Sequence, residues 1–236
     1  MANPARSILH VGFLLAFSAL AGTGVMAITH YHTKDRIEEN KRQVLIRGLT
    51  SVLPNVKYDN DLIEDRITVG GPDKPGANKS LSIYRARYQG EPVAAVVTTI
   101  APDGYSGPIR ILVGIQYNGV ISGVRVVEHR ETPGLGDAIE AERSGWVFSF
   151  DGRSRQNTSP PQWQVKKDGG VFDQFTGATI TPRAVVKAVH NSLQYFEMHR
   201  EELFAVMENA GTADNQQKKS AAASDEMHAE TKQQVK

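Results

Sequence analysis

Cysteine is absent from this 236-residue chain, and neither sign of charge prevails, with 27 Lys and Arg against 26 Asp and Glu. The lack of thiols excludes a disulfide framework, a thiolate zinc site, a Cys-ligated iron–sulfur cluster and a cysteine nucleophile. The balanced charge argues against nucleic-acid binding, which usually needs a basic excess or stripe. Phosphate-binding glycine loops and a nucleophile elbow are also missing from the sequence. Any redox chemistry would therefore depend on an organic cofactor or on metals held by nitrogen and oxygen ligands.

The longest apolar run, residues 8–28, contains no Asp, Glu, Lys or Arg. As a helix rising about 1.5 Å per residue, a run of this length reaches across a bilayer core of about 30 Å. The sequence therefore predicts a short N-terminal segment, residues 1–7, followed by a transmembrane helix over 8–28. A cleaved signal peptide with Arg6 as its basic end is the alternative, although the run exceeds the usual apolar length of about 7–15 residues.

The charges that flank this run favour a cytoplasmic location for the domain that follows. Only Arg6 precedes the run, whereas Lys34, Arg36, Lys41 and Arg42 follow it closely. By the positive-inside rule, the more basic side stays in the cytoplasm.

Hydrophobic periodicity predicts an α+β domain over residues 35–209, with an antiparallel sheet and flanking helices. Helical spacing over 35–53, ended by Pro54, indicates a helix that leads into the domain. Alternating apolar residues predict four strands, near 81–88, 92–100, 109–117 and 120–127, with turns at Gln89-Gly90 and Asn118-Gly119. The remaining predictions are a loop at 70–76, a short helix at 137–143, a strand at 146–150, a long helix at 182–209 and a disordered tail at 210–236.

The segment 173–182, with the sequence DQFTGATITP, is the best candidate for a functional site. Thr181 as N-cap and Pro182 at the first helical position predict a helix start. The threonines in this segment then lie where unpaired N–H groups favour an anion, and they are Thr176, Thr179 and Thr181. Gly177 and Ala178 leave room for close approach of a ligand or of another chain. From these residues alone, a capped helix with a tight preceding turn is the simpler interpretation, and an anion site is the alternative.

The pattern Asp-x-x-Thr-Gly-Ala-Thr within this segment resembles the covalent flavinylation motif of known FMN-binding subunits. It is formed by Asp173, Thr176, Gly177, Ala178 and Thr179. Such subunits occur in Rnf (also called Rsx) complexes and in sodium-pumping NADH:quinone oxidoreductases. The resemblance implies that Thr179 carries FMN through a phosphoester bond, which a flavin transferase forms. It also implies that the transferase recognises its target partly through Asp173.

Two further segments look like the G subunit of Rnf complexes, so the resemblance covers nearly the whole chain before the tail. They are Gly104–Pro108, followed by the predicted hairpin, and Glu131–Gly136, with the sequence ETPGLG. The residues that the resemblance places beside FMN, in addition to the threonine that carries it, are Thr176, Gly177, Ala178, Glu131, Thr132, Gly134 and Leu135. Tyr105 and Trp146 are candidates for stacking on the flavin ring, with core packing as the alternative for Trp146.

The resemblance implies an electron-transferring flavoprotein subunit of an ion-translocating complex in the bacterial inner membrane. FMN would be its cofactor, the other complex subunits and the transferase its partners, and no metal site or independent substrate turnover is expected. The flavin domain would be periplasmic, against the charge count, because long domains translocate largely regardless of nearby charge. The alternatives are the FMN subunit of a sodium-pumping NADH:quinone reductase and an anchored binding module without a cofactor.

Overall fold

The computed structural model describes residues 4–70 and 81–205. Contacts divide the chain into two units, Met1–Arg47 and Gly48–Lys236. The tail predicted at 210–236, and all but the first residue of the loop predicted at 70–76, lie outside the described residues.

The first helix, α1, runs without a break over Pro4–Ser51. It ends shortly before Pro54, as predicted, because a proline disfavours helical geometry in the residue before it. The boundary predicted between 28 and 35 is absent, since residues 29–34 contain neither glycine nor proline and the helix continues through them. In the part of the chain that the structure describes, no helix combines the length and the apolar character that crossing a membrane requires. The transmembrane helix predicted over 8–28 is therefore not confirmed.

The second unit is built on a five-stranded antiparallel sheet in which every strand pairs with its neighbour in sequence. The strands are β1 (Arg66–Val69), β2 (Leu81–Tyr88), β3 (Glu91–Ala101), β4 (Ile109–Gln116) and β5 (Ile121–Glu128). Strands β2 to β5 confirm the predicted alternation, and β1, a four-residue edge strand, was not predicted. The predicted turn between β2 and β3 is also present, and both of its residues, Gln89 and Gly90, have positive φ.

The two faces of the sheet are covered by different parts of the chain. The last turn of α1 and the residues after it cover one face, where Leu49, Val52 and Leu53 are buried. Gly114 and Gly123 allow this close approach, because a Cβ atom at Gly114 would lie 2.2 Å from the Val52 carbonyl oxygen. The main core lies on the opposite face, beneath the long helix α2 (Ile180–Ala205).

Short 3-10 helices connect β5 to α2, and they correct two predictions. Trp146–Phe150, predicted as a strand, is a 3-10 helix that buries Trp146, Val147 and Phe150. Five residues with several apolar side chains do not distinguish a strand from a helical turn by periodicity alone. The short helix predicted over 137–143 is a 3-10 helix over Gly136–Ile139. Both segments pack into the core on the face that carries α2.

Candidate functional site

A cavity of about 310 Å³ opens at the N-terminal end of α2. Three segments that are distant in sequence form it: the loop after β3, the loop after β5 and the residues that begin α2. The lining residues are Tyr105, Glu131, Thr132, Leu135, Gly136, Gly177, Ala178, Thr179, Ile180 and Thr181. A cavity of this size lies within the usual range of small-molecule sites, about 300–1,000 Å³. The three segments singled out from the sequence therefore meet at one pocket.

Thr179 occupies the N-cap position of α2. It directly precedes Ile180, the first helical residue, and its carbonyl oxygen accepts a long hydrogen bond of 3.4 Å from the Arg183 N–H. A tight turn leads into it, in which the Ala178 N–H donates to the Phe175 carbonyl and Gly177 has a φ of +80°. That backbone conformation favours glycine, because a Cβ atom would be strained there. The half-buried Thr179 side chain thus lies where helix N–H groups lack helical partners.

Thr181 does not cap the helix, contrary to the prediction. It is the second residue of α2 and fully buried, and its hydroxyl donates a hydrogen bond to Glu131 Oε2. Pro182 is consequently the third helical residue, a position whose N–H needs no helical partner and which therefore tolerates proline. The sequence signal was misassigned because two threonines, Thr179 and Thr181, are spaced so that either could begin the helix.

Glu131 links the three segments of the pocket, because it belongs to one of them and its side chain is hydrogen-bonded to the other two. Its side chain is almost completely buried; Oε1 accepts the Ser106 N–H at 3.0 Å, and Oε2 accepts the Thr181 hydroxyl. Both partners are neutral, and the N-terminal end of the α2 dipole favours the carboxylate charge. Glycines leave the space for this side chain, because a Cβ atom at Gly136 would lie 2.8 Å from the Glu131 Cβ, and one at Gly104 3.0 Å from its Oε1. The carboxylate predicted as a flavin contact therefore also holds the pocket together.

The loop 131–136 is a compact turn that faces the segment 177–181. The Thr132 carbonyl accepts hydrogen bonds from the N–H groups of Leu135 and Gly136, at 3.1 and 3.0 Å, and Gly134 has a φ of +77°. The Leu135 side chain is about half exposed, with Cδ2 3.8 Å from where a Cβ atom at Gly177 would lie. Of the residues predicted beside FMN, Gly134 and the exposed Thr176 are not among the lining residues.

The two aromatic candidates have different environments. Tyr105 lines the pocket with a side chain that is 68% exposed. Trp146 is buried and packs edge-to-face on Phe150 and Phe175, with ring centroids 5.3 and 5.2 Å apart. Its Nε1–H donates to the Asp173 carbonyl at 2.8 Å. Core packing, the alternative considered for Trp146, is confirmed, and this residue also supports the start of segment 173–179.

Two ion pairs involve the segment 166–173 and the first turns of α2. Arg183 holds Asp168 with two hydrogen bonds of 2.5 and 2.7 Å, and the hydrogen bond from Arg183 lowers the pKa of the Asp168 carboxyl. The Asp173 carboxylate lies 2.6 Å from Lys166 Nζ, outside the pocket lining, and both side chains are exposed. Among the described residues there is no group of three or more His, Asp or Glu side chains placed to hold a metal ion.

Comparison with known proteins gives the class of this site. Residues 104–194 match the FMN-binding domain family, and this range contains every residue that lines the pocket. The second unit thus carries an FMN-binding domain. Residues 1–52, which include the whole of α1, match a second family, the RnfG N-terminal region.

Relatives that match most of the chain identify the family, and each is the G subunit of an ion-translocating oxidoreductase complex. The chain is 47% identical over 206 residues to the relative from Pseudomonas aeruginosa, covering 87% of this chain and 96% of the relative. It is 44% identical over 200 residues to the relative from Vibrio atlanticus, covering 85% and 95% of the two chains. The relative from Pseudoalteromonas atlantica is also 44% identical, over 194 residues, with coverage of 82% and 90%. The chain belongs to the family of G subunits of ion-translocating oxidoreductase complexes, which confirms the resemblance found in the sequence.

Proposed function

We propose that this protein is an electron-transferring subunit of an ion-translocating oxidoreductase complex and that it holds FMN in the pocket at the start of α2. The family assignment supports the complex, and the agreement between the pocket and the FMN-binding match carries the proposal for the site. FMN supplies one- and two-electron chemistry when bound, while the protein binds it, orients it and sets its surroundings. The match to the RnfG N-terminal region favours this complex over a sodium-pumping quinone reductase.

The residues of the pocket suit both ends of FMN. The first turn of α2 offers backbone N–H groups and the positive end of a helix dipole, which favour a phosphate. Tyr105, Leu135 and Ile180 present exposed apolar surface around the same cavity, which suits a planar aromatic ring. Phosphate-binding groups and ring-binding surface are thus adjacent in one pocket.

We further propose that the attachment is a phosphoester between the Thr179 hydroxyl oxygen and the FMN phosphate. A flavin transferase would join these groups using FAD, with AMP as the leaving group and loss of the hydroxyl proton. Thr179 suits this role because it lies at the N-cap of α2 and lines the pocket. The neighbouring threonines suit it less, since Thr181 is buried on Glu131 and Thr176 lies outside the pocket lining.

The full chain, expressed with and without the flavin transferase, tests the proposed attachment. After denaturation in SDS, we expect flavin fluorescence on the protein band only from cells that contain the transferase. Thr179→Ala should abolish the fluorescent band, whereas the matched variant Thr176→Ala should retain it, and peptide mass spectrometry should place FMN on Thr179. A dark wild-type band from cells with active transferase would refute covalent flavinylation and would favour a binding module without covalent cofactor.

The location of the protein follows from the proposed complex. Ion translocation requires a membrane barrier, so we propose that the chain is held at the inner membrane with its flavin domain in the periplasm and the other complex subunits as partners. The charge-free run 8–28 is the segment proposed to hold it there. A reporter active only in the periplasm, fused after Ala205, should be active in cells. Activity of a cytoplasm-only reporter at the same position would instead support the cytoplasmic location that the flanking Lys and Arg residues favour.

A further inference from the structure

The pocket loop 131–136 belongs to a longer segment whose two ends are joined by side chains. His129 lies just before the loop and Glu140 follows it, and His129 Nε2 is 2.6 Å from Glu140 Oε1. The side chains are 12% and 33% exposed, so the contact is mostly shielded from water. We call this His129–Glu140 contact the clasp, because it closes the segment 129–140 into a loop at its base.

The second nitrogen of His129 defines the tautomer. Nδ1 accepts the Glu131 N–H at 3.1 Å, so it carries no proton in this arrangement. Nε2 is then the protonated nitrogen of a neutral imidazole and donates to the Glu140 carboxylate. One histidine therefore binds both the start of the pocket loop, through the Glu131 backbone, and Glu140, four residues after the end of that loop.

The clasp acts on the pocket through Glu131 and through the chain that leads to Glu140. His129 fixes the backbone of Glu131, whose carboxylate binds Ser106 and Thr181 on the two other pocket segments. At the other end, the 3-10 helix Gly136–Ile139 continues directly into Glu140. Opening the clasp would remove the side-chain contact that joins the two ends of the segment 129–140, while leaving the sheet and α2 intact.

We propose that the clasp holds the loop 131–136 in place against the pocket, which makes His129 a positioning residue for the flavin site. The role of His129 toward flavin rests on the proposed function, that FMN is bound in this pocket. The effect of the clasp on the position of the loop 131–136 does not depend on whether flavin is attached. His129 hydrogen-bonds to the Glu131 N–H and to the Glu140 carboxylate, so it acts on the pocket through these two residues.

Hydrogen exchange of the full-length protein tests the structural part. His129→Leu and Glu140→Ala break the clasp; Glu140→Gln retains an oxygen that can accept the Nε2–H; Glu142→Ala removes the same charge from an exposed neighbour. In Glu140→Ala, which loses the hydrogen bond to His129 Nε2, exchange in peptides covering 129–140 should accelerate about 2- to 10-fold. The acceleration should be at least as large in His129→Leu, which also loses the hydrogen bond from the Glu131 N–H. Peptides from β4 should not change, and Glu140→Gln and Glu142→Ala should match the wild type.

Flavin fluorescence tests the positioning role in protein made with the transferase. Quenching by iodide reports how accessible the attached flavin is, and its slope should be steeper for His129→Leu and Glu140→Ala than for wild type, Glu140→Gln or Glu142→Ala. Unchanged loop exchange in both breaking variants would overturn the proposal, as would equal acceleration in β4, which would indicate a loss of global stability. A wild-type protein without covalent flavin would refute the proposed function and leave the exchange result as the test of the clasp.

Discussion

Replacing Thr181 by Val tests whether the buried hydroxyl joins α2 to the rest of the pocket. The substitution exchanges a hydroxyl for a methyl group of similar volume at a position that is fully buried. It leaves Glu131 Oε2 without its hydrogen bond in a residue that is only 4% exposed. Water therefore has little access to replace the lost donor.

The size of the effect follows from the charge of the acceptor. A hydrogen bond to a charged group contributes about 1.5–3 kcal/mol, more than a bond between neutral groups. A loss of about 2 kcal/mol in a domain of this size lowers the melting temperature by roughly 4–8 °C. Thr181→Ser, which keeps the hydroxyl, should lose much less, and Thr176→Val, at an exposed position, should stay within about 0.5 kcal/mol of wild type.

Urea unfolding followed by tryptophan fluorescence measures these differences. The chain has two tryptophans, and both Trp146 and Trp163 are buried in the domain that carries the pocket. The Thr181→Val midpoint should fall without a change in slope. In a double-mutant cycle with Glu131→Gln, the coupling between the two positions should be about 0.5–3 kcal/mol. A Thr181→Val midpoint equal to that of wild type would refute the assignment of this hydrogen bond.

Three further predictions concern other parts of the site and one histidine on α2. Thr179→Ala should remove covalent flavin and, because Thr179 is the N-cap residue of α2, lower the free energy of unfolding by about 1 kcal/mol in urea titrations. Thr176→Ala, at an exposed position, should change it by no more than about 0.5 kcal/mol. Gly136→Ala should destabilise the unmodified protein by about 1–3 kcal/mol in the same assay, because its Cβ atom would meet Glu131. Burial lowers the pKa of His190 from its usual 6.5, so the folded state binds this proton less readily than the unfolded state. Stability should therefore fall as the pH decreases below about 6.5, and less so in His190→Phe; equal pH dependence in both proteins would contradict this reasoning.

Local patterns in the sequence predicted most of the sheet and the location of the pocket. The hairpin of β4 and β5 follows from strict alternation and from Asn118-Gly119, both of which are short-range signals. The segments 131–136 and 177–181 stand out by their small residues and their resemblance to known motifs. Each of these signals is contained in a few consecutive residues, the range over which sequence patterns are most informative.

Features that depend on distant contacts were not predicted. The helical turn at Trp146 is set by packing on Phe150 and Phe175 and by a bond to the Asp173 carbonyl. The role of Thr181 depends on Glu131, fifty positions earlier. The contact between His129 and Glu140 is not visible in the sequence either, since Glu140 comes within reach only after the pocket loop has folded back.

The connectivity of the second unit sets the order in which its parts become available during synthesis. Each strand pairs with the one made just before it, so the sheet contains local contacts of the kind that form early. The pocket, in contrast, needs the first turn of α2, which leaves the ribosome last among its three segments. A nascent chain can therefore present a sheet but not a complete flavin site. Attachment that depends on this site would mark only chains whose domain has been synthesised and folded as far as α2.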